Sequence, residues 1–163
     1  MGFAIVVPAY NERERIIPCL EKLSKAVGKA KVILAIDGND ETLEIARSFR
    51  GKLRGLKIVI SPSESRRGKG GAILAGSRLS KEEKICFVDC DPNLELLKIP
   101  ILLKGLEKFD LVIGKRRFSA RRPLIRKVLS KAFNFFARKA LSLPYQDTQC
   151  GMKAFRKSPL LAA

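Results

Sequence analysis

The 163-residue chain has no histidine, no tryptophan and only two tyrosines. Without imidazole, histidine-based triads and zinc sites are excluded. A general base or metal ligand must then come mainly from the 16 aspartates and glutamates. Acids are themselves scarce beside 33 lysines and arginines, which leaves a formal net charge of +17. Such an excess is more than solubility needs and points to a polyanionic partner: nucleic acid, an anionic membrane or phosphorylated substrates. Aromatics make up only 7%, and no RNA-recognition or zinc motif occurs. A basic nucleic-acid-binding α/β domain is therefore the rival reading, and no nucleic-acid partner is expected. No C-x-x-C pair occurs either. Cys19, Cys86, Cys90 and Cys150 read as reduced thiols of a cytoplasmic protein rather than a disulfide framework. No apolar run approaches the roughly 20 residues that span a bilayer, and no secretory leader precedes the first strand-like segment. A membrane, if met, is met from its surface.

What is present is a 46% hydrophobic composition, enough for the core of one domain over residues 1–163. Near-continuous apolar runs at Phe3–Val7, Val32–Ile36, Leu56–Ile60, Ile85–Val88 and Leu111–Ile113 predict strands covered on both faces. Helical patterns fall between them at about Glu12–Val27, Asp40–Phe49, Gly70–Leu79 and Leu94–Lys108. This alternation predicts an α/β domain with a mostly parallel central sheet flanked by helices. Arg121–Leu143 adds apolar residues at helical spacing with Arg122, Arg126, Lys127 and Lys131 among the rest. That pattern suits a basic amphipathic helix lying in a headgroup layer, and equally a core-packing helix with a solvated basic face.

Parallel sheets bind ligands beyond the carboxyl ends of their strands, and the unusual residues of this chain sit there. The five strands are followed by Pro8-Ala9-Tyr10-Asn11-Glu12, by Asp37-Gly38-Asn39-Asp40, by Ser61–Gly71, by Asp89-Cys90-Asp91-Pro92-Asn93 and by Gly114-Lys115-Arg116-Arg117. Asp89 and Asp91, two residues apart after a buried strand, suit a hard cation such as Mg²⁺ or Mn²⁺, with Asn93 as a further oxygen donor. Lys69 and Gly70 open a helix whose backbone N–H groups suit an anion, although the spacing is not that of a P-loop. Asp37 ends a buried strand and is a candidate to accept hydrogen bonds from a nucleobase or ribose. Asp40 and Thr42 are expected to cap the next helix. Tyr10 offers a stacking face or a packing one.

Together these stretches resemble family 2 glycosyltransferases of the GT-A (Rossmann-like) fold. "VVPAYNERERI" is similar to that family's opening donor-site motif, "IDGNDET" to its V-D-D-G-S-x-D-x-T segment, and "RRGKGGAILAG" to its N-x-G-K-G-x-A turn, with Arg66 in place of the asparagine. "FVDCDPN" resembles its D-x-D segment. "LVIGKRRF", "LSKAFNFFAR" and "DTQCGMKAF" resemble the branch that glycosylates dolichyl or polyprenyl phosphate.

The resemblance implies residues 1–93 as the nucleotide-sugar half and 94–163 as the acceptor half. It implies a nucleotide pocket at Pro8, Tyr10, Asn11, Glu12, Asp37, Lys69 and Gly70. It further implies Mg²⁺ or Mn²⁺ on Asp89 and Asp91, with Asn93 where the branch often has glutamine. Acceptor phosphate falls to Arg117, helped by Arg122 or Lys131, with Asp147 and Gln149 closing over the acceptor side. The implied activity is inverting transfer of a hexose from UDP-glucose- or GDP-mannose-type donors to a polyprenyl phosphate at the cytoplasmic membrane face. A phosphate acceptor is already ionised near neutral pH (second pKa about 6), so no strong base is required. For a hydroxyl acceptor, Asp147 is the candidate base. Such relatives continue past "CGMKAF" with another helix and strand and often a membrane anchor. The chain is therefore expected to be short at its C-terminus, completed by a further portion or an anchor subunit. A member that binds donor without transferring it is the alternative within the family.

Overall fold

The computed structural model describes residues 2–115 and 150–162. Five strands follow the apolar runs of the sequence: β1 (Phe3–Tyr10), β2 (Ala30–Asp37), β3 (Leu56–Ser63), β4 (Lys84–Val88) and β5 (Leu111–Ile113). Between them lie α1 (Ile16–Val27), α2 (Thr42–Phe49), α3 (Gly68–Leu79) and α4 (Ile99–Gly105). A sixth strand, β6 (Met152–Arg156), leads into a short α5 (Lys157–Ala162). The six strands form one sheet in the order β3-β2-β1-β4-β6-β5. β1 to β4 pair in parallel, whereas β6 pairs antiparallel with both β4 and β5. β5 therefore runs in the same direction as β1 to β4, and the five strand ends named above lie along one edge. The chain enters that edge again at Gly151, where β6 begins.

Alternate residues of each strand feed opposite faces, as the pleat requires. Ile5, Val7, Val32 and Leu34 pack with Ile16, Leu20 and Leu23 of α1 and Ile99, Leu102 and Leu103 of α4 in one core. Ala4, Val6, Ile33, Ile85 and Phe87 form the second, against Ile73 of α3 and Leu160 of α5. With both faces covered, the central strands lose the polar alternation of a half-exposed sheet, which explains their continuous apolar character.

Three boundaries differ from the sequence pattern for local reasons. Residues 12–15 form a turn rather than the first turn of α1, with the Arg15 and Ile16 N–H groups both donating to the Glu12 carbonyl at 2.9 Å. The expected helix over 94–108 divides into a 3-10 turn at Leu96–Lys98 and α4, with Pro100 in the first turn of α4, where a missing N–H costs nothing. β3 runs through Pro62 to Ser63, which is tolerated because β3 is an edge strand. β6 was not expected as a strand. Lys153 and Arg156 interrupt its apolar pattern, but Lys153 lies over the Phe87 ring at 5.4 Å and the Arg156 guanidinium donates to the Leu106 carbonyl at 2.7 Å.

α3 carries the glycine-rich segment and lies close against β1. A Cβ at Gly76 would come 2.6 Å from Cγ1 of Val6, too near for any real contact. Gly76→Ala is expected to lift α3 and lower the unfolding free energy by about 1–3 kcal/mol, measured as a shift in the denaturation midpoint.

Candidate active site at the carboxyl edge of the sheet

The turns at this edge are built by side chains that replace missing backbone partners. Asn11 takes a left-handed conformation (φ 54°), which asparagine tolerates better than most residues. Gly38 has φ 104°, and a Cβ there would collide with the Asn11 side chain. The carboxylate of Asp40 accepts from the N–H of Thr42 at 3.1 Å and of Arg13 at 3.3 Å. Thr42 Oγ1 in turn accepts from the N–H of Glu12 at 2.8 Å. Asp40 thus starts α2, as its position implied, and also ties the first edge loop to the second. Although burial opposes it, these bonds from Thr42 and Arg13 hold the Asp40 carboxyl below its ordinary value.

Asp37 is 3% exposed. Such a carboxylate needs a partner, and Arg67 supplies it. The Arg67 backbone N–H donates to Oδ2 at 2.7 Å and its Nε to Oδ1 at 2.8 Å, while its Nη2 donates to the Ser61 carbonyl at 3.0 Å. Arg67 therefore fastens the glycine-rich turn to the end of β2. With Arg67 turned inward, Arg66 points outward and stacks over the Tyr10 ring at 4.3 Å. Tyr10 is 46% exposed, so its face serves the surface of the site rather than the core.

A cavity of about 280 Å³ opens between these loops, lined by Tyr10, Glu12, Asp37, Arg66, Lys69 and Asp89 among others. Pro8 lines it too; Gly68 and Ala72 form its α3 wall. Lys69 Nζ donates to Asp89 Oδ2 at 2.6 Å. Burial raises the Glu12 carboxyl above its ordinary value; the Arg15 charge counteracts this, and the neighbouring charges of Asp89 and Asp40 add to it. Arg15 Nε lies 2.6 Å from Glu12 Oε2 but outside hydrogen-bond alignment, so the contact is electrostatic.

Asp89 and Asp91 flank Cys90, which is 5% exposed and turned into the core, so both carboxylates face away from it. They do not share one cavity. Asp91 lines a neighbouring space of about 310 Å³ with Lys98, Ile101, Val112, Gly114 and Lys115. Its Oδ1 accepts from both the backbone N–H and the Nδ2 of Asn93 at 2.9 Å, so Asn93 addresses Asp91 directly. Gly70 has open space beside its Cα. Arg117, Arg122, Lys131, Asp147, Gln149 and the basic 121–143 segment lie outside the described residues.

The donor set suits a hard cation. It offers carboxylate oxygens without imidazole, and Cys90 points away. Gly151 supports the same conclusion: its carbonyl accepts from the Asp89 N–H at 2.8 Å, and a Cβ there would occupy the place of the Asp89 carboxylate. Among the described residues, no three acids or thiols cluster as a complete metal cage. Two carboxylates would need substrate phosphate oxygens and water to complete the shell, as Mg²⁺ and Mn²⁺ commonly allow. The motif reading had included neither Arg67 as the partner of Asp37 nor Gly151 as the seat of Asp89. A glycine directly before a strand is the signal for such a close backbone approach.

A mostly parallel sheet flanked by helices, with a D-x-D turn and a glycine-rich helix start on one edge, defines the GT-A fold. Residues 4–161 match the profile of glycosyl transferase family 2, and the chain belongs to that family. It is 28% identical to a dolichyl-phosphate beta-glucosyltransferase of Dictyostelium discoideum, over 94% of this chain and 54% of the relative. It is 29% identical to an undecaprenyl-phosphate mannosyltransferase of Micrococcus luteus, over 99% of this chain and 69% of the relative. The chain spans about half the length of the dolichyl-phosphate relatives it matches. Among solved structures, glucosyl-3-phosphoglycerate synthase of Mycobacterium tuberculosis, in complex with Mn²⁺, UDP and phosphoglyceric acid, superposes with a TM-score of 0.70 at 22% identity. That match covers 96% of this chain and 56% of the synthase.

Removing the Arg67 side chain leaves Asp37 ionised and unpaired in the interior. Arg67→Met is expected to lower the unfolding free energy by about 3 kcal/mol, and adding Asp37→Asn to restore part of that loss, both read by guanidinium denaturation.

Proposed function

We propose that the chain is the catalytic core of a metal-dependent, inverting hexosyltransferase that moves a sugar from a nucleoside diphosphate to a polyprenyl or dolichyl phosphate. The observation that carries this reading is the pair of adjoining cavities divided by the Asp89-Cys90-Asp91 turn. One side has the Tyr10 face, the Glu12 and Asp37 carboxylates and the Lys69 ammonium, a combination suited to a nucleotide diphosphate. The other joins Lys98 and Lys115 with the apolar side chains of Ile101, Leu102, Val112 and Met152, a combination suited to a phosphate carried on a lipid. The names of the two relatives, a dolichyl-phosphate glucosyltransferase and an undecaprenyl-phosphate mannosyltransferase, support the same acceptor class.

In this reading Tyr10 and Arg66 border the nucleoside, and Lys69 exchanges its bond to Asp89 for one to the diphosphate. Asp89 and Asp91 hold Mg²⁺ or Mn²⁺, which when bound neutralises charge developing on the leaving diphosphate. The Mn²⁺ in the mycobacterial structure supports that assignment. The acceptor phosphate, already ionised, attacks the anomeric carbon opposite the leaving group, so the residues around it need only bind and orient. Arg117, with Arg122 or Lys131 and Gln149, is assigned to the acceptor phosphate, and Asp147 to the same side. The basic 121–143 segment is assigned to an anionic, cytoplasmic membrane face. Among the described residues no helix is long and apolar enough to cross a membrane. Anchoring is therefore assigned to a further portion of the protein or a partner subunit.

The test is product formation from purified chain with Mn²⁺ or Mg²⁺, a panel of UDP- and GDP-hexoses, and polyprenyl phosphate. Asp89→Ala and Asp91→Ala are each expected to reduce turnover at least about 100-fold with circular dichroism unchanged; retained turnover removes the metal assignment. Arg117→Ala is expected to weaken use of the lipid phosphate about tenfold or more while leaving nucleotide affinity unchanged, and equal losses in both contradict its acceptor role.

A further inference from the structure

The residue between the two aspartates has chemistry of its own. Cys90 is hydrogen-bonded to the thiol of Cys19 on α1. Both are free thiols, 5% and 7% exposed. They are not sealed in: both line a cavity of about 120 Å³ together with Pro18, Lys22, Asp91 and Pro92. Pro18, Lys22 and Pro92 are exposed, so the cavity has a solvent rim. Its volume admits a molecule the size of water or hydrogen peroxide. Across that rim Lys22 Nζ donates to the Pro92 carbonyl at 2.6 Å, so α1 and the aspartate turn are already held together beside the two sulfurs.

We propose that Cys19 and Cys90 are an oxidisable dithiol, a modification site at which a peroxide joins the two sulfurs in a disulfide and thereby disables the neighbouring aspartate pair. The disabling effect rests on the function proposed above; the cross-link itself does not.

The chemistry balances with the peroxide as oxidant. One thiol sulfur attacks a peroxide oxygen, the O–O bond breaks, and a sulfenic acid and one water result. The second thiol sulfur attacks the sulfenic sulfur, the S–O bond breaks and the S–S bond forms. The departing hydroxyl takes the second thiol's proton as another water. Two thiols and one hydrogen peroxide thus give one disulfide and two waters, with two electrons passing from sulfur to oxygen. A disulfide holds its sulfurs about 2.0 Å apart, closer than any hydrogen-bonded pair of thiols. Closing that gap draws Cys90 toward α1, and Asp89 and Asp91, joined to it on either side, move too. A displacement of about 1 Å in a reacting constellation can cost on the order of 100-fold in rate. Cys86, fully buried within β4, is the internal control for access.

The experiment exposes the purified whole chain to hydrogen peroxide, blocks residual thiols, and maps peptides by mass without reduction. The expected product is one linked species containing Cys19 and Cys90, two hydrogens lighter than the separate peptides and reversed by dithiothreitol. In parallel, Mn²⁺-dependent binding of UDP and of GDP is measured. Oxidation is expected to weaken binding of whichever nucleotide the reduced chain takes by about tenfold or more, reversibly. Cys19→Ser and Cys19→Ala are expected to fold by circular dichroism, bind as the reduced parent does, and ignore the oxidant. Absence of the Cys19–Cys90 link while other thiols oxidise overturns the proposal, as does equal oxidative loss in the Cys19 variants. A link that leaves binding unchanged overturns the control of the site. If the reduced chain binds neither nucleotide, the functional reading fails, and the peptide map alone decides the dithiol.

Discussion

The close seating of Asp89 against the backbone of Gly151 is the contact on which the edge depends. β4 delivers the carboxylate, β6 delivers a residue with no side chain to obstruct it, and α3 delivers Lys69 to its Oδ2 at 2.6 Å. These three parts of the chain are far apart in sequence and meet only when the sheet has assembled. The order in which β6 lies between β4 and β5 is therefore a condition for the site as well as for the core.

The second constraint is electrostatic. In a chain with twice as many bases as acids, Glu12, Asp40 and Asp89 gather close enough to influence one another at one edge, while Asp37 is neutralised below them by Arg67. Carboxylates collected against such a background oppose one another unless cations or hydrogen bonds compensate. Asp40 is compensated by backbone N–H groups and Asp89 by Lys69, an exposed ammonium that can exchange partners. The arrangement is poised for a diphosphate and a divalent ion to enter as a nearly neutral unit.

Much of this was legible in the sequence because buried parallel strands announce themselves. The runs "FAIVV", "VILAI" and "KICFV" are strands in the structure because both sheet faces are covered, and the polar residues after them mark the edge where ligands bind. What was not legible depends on pairing across long separations. β6 is five residues with two bases in it, and only the ring of Phe87 and the carbonyl of Leu106 explain why Lys153 and Arg156 sit within a strand. Likewise "RRGKGG" gives no hint which arginine turns inward; the buried Asp37 decides that. Nor does the D-x-D spacing reveal that its two carboxylates open onto different cavities, which follows from how the turn sits between α3 and the end of β5.

The position of β6 also bears on how the molecule is made. Translation yields β1 to β4 and the helices between them well before residues 152–156 exist. Until those residues leave the ribosome, the outer side of β4 has no neighbour and β5 has no strand to pair with. A nascent chain at that stage presents an unpaired apolar edge, the kind of surface that joins edge to edge with other unfinished chains. The last strand to be synthesised is thus the one that closes this edge, and a pause upstream of it would prolong the interval in which the chain needs a chaperone.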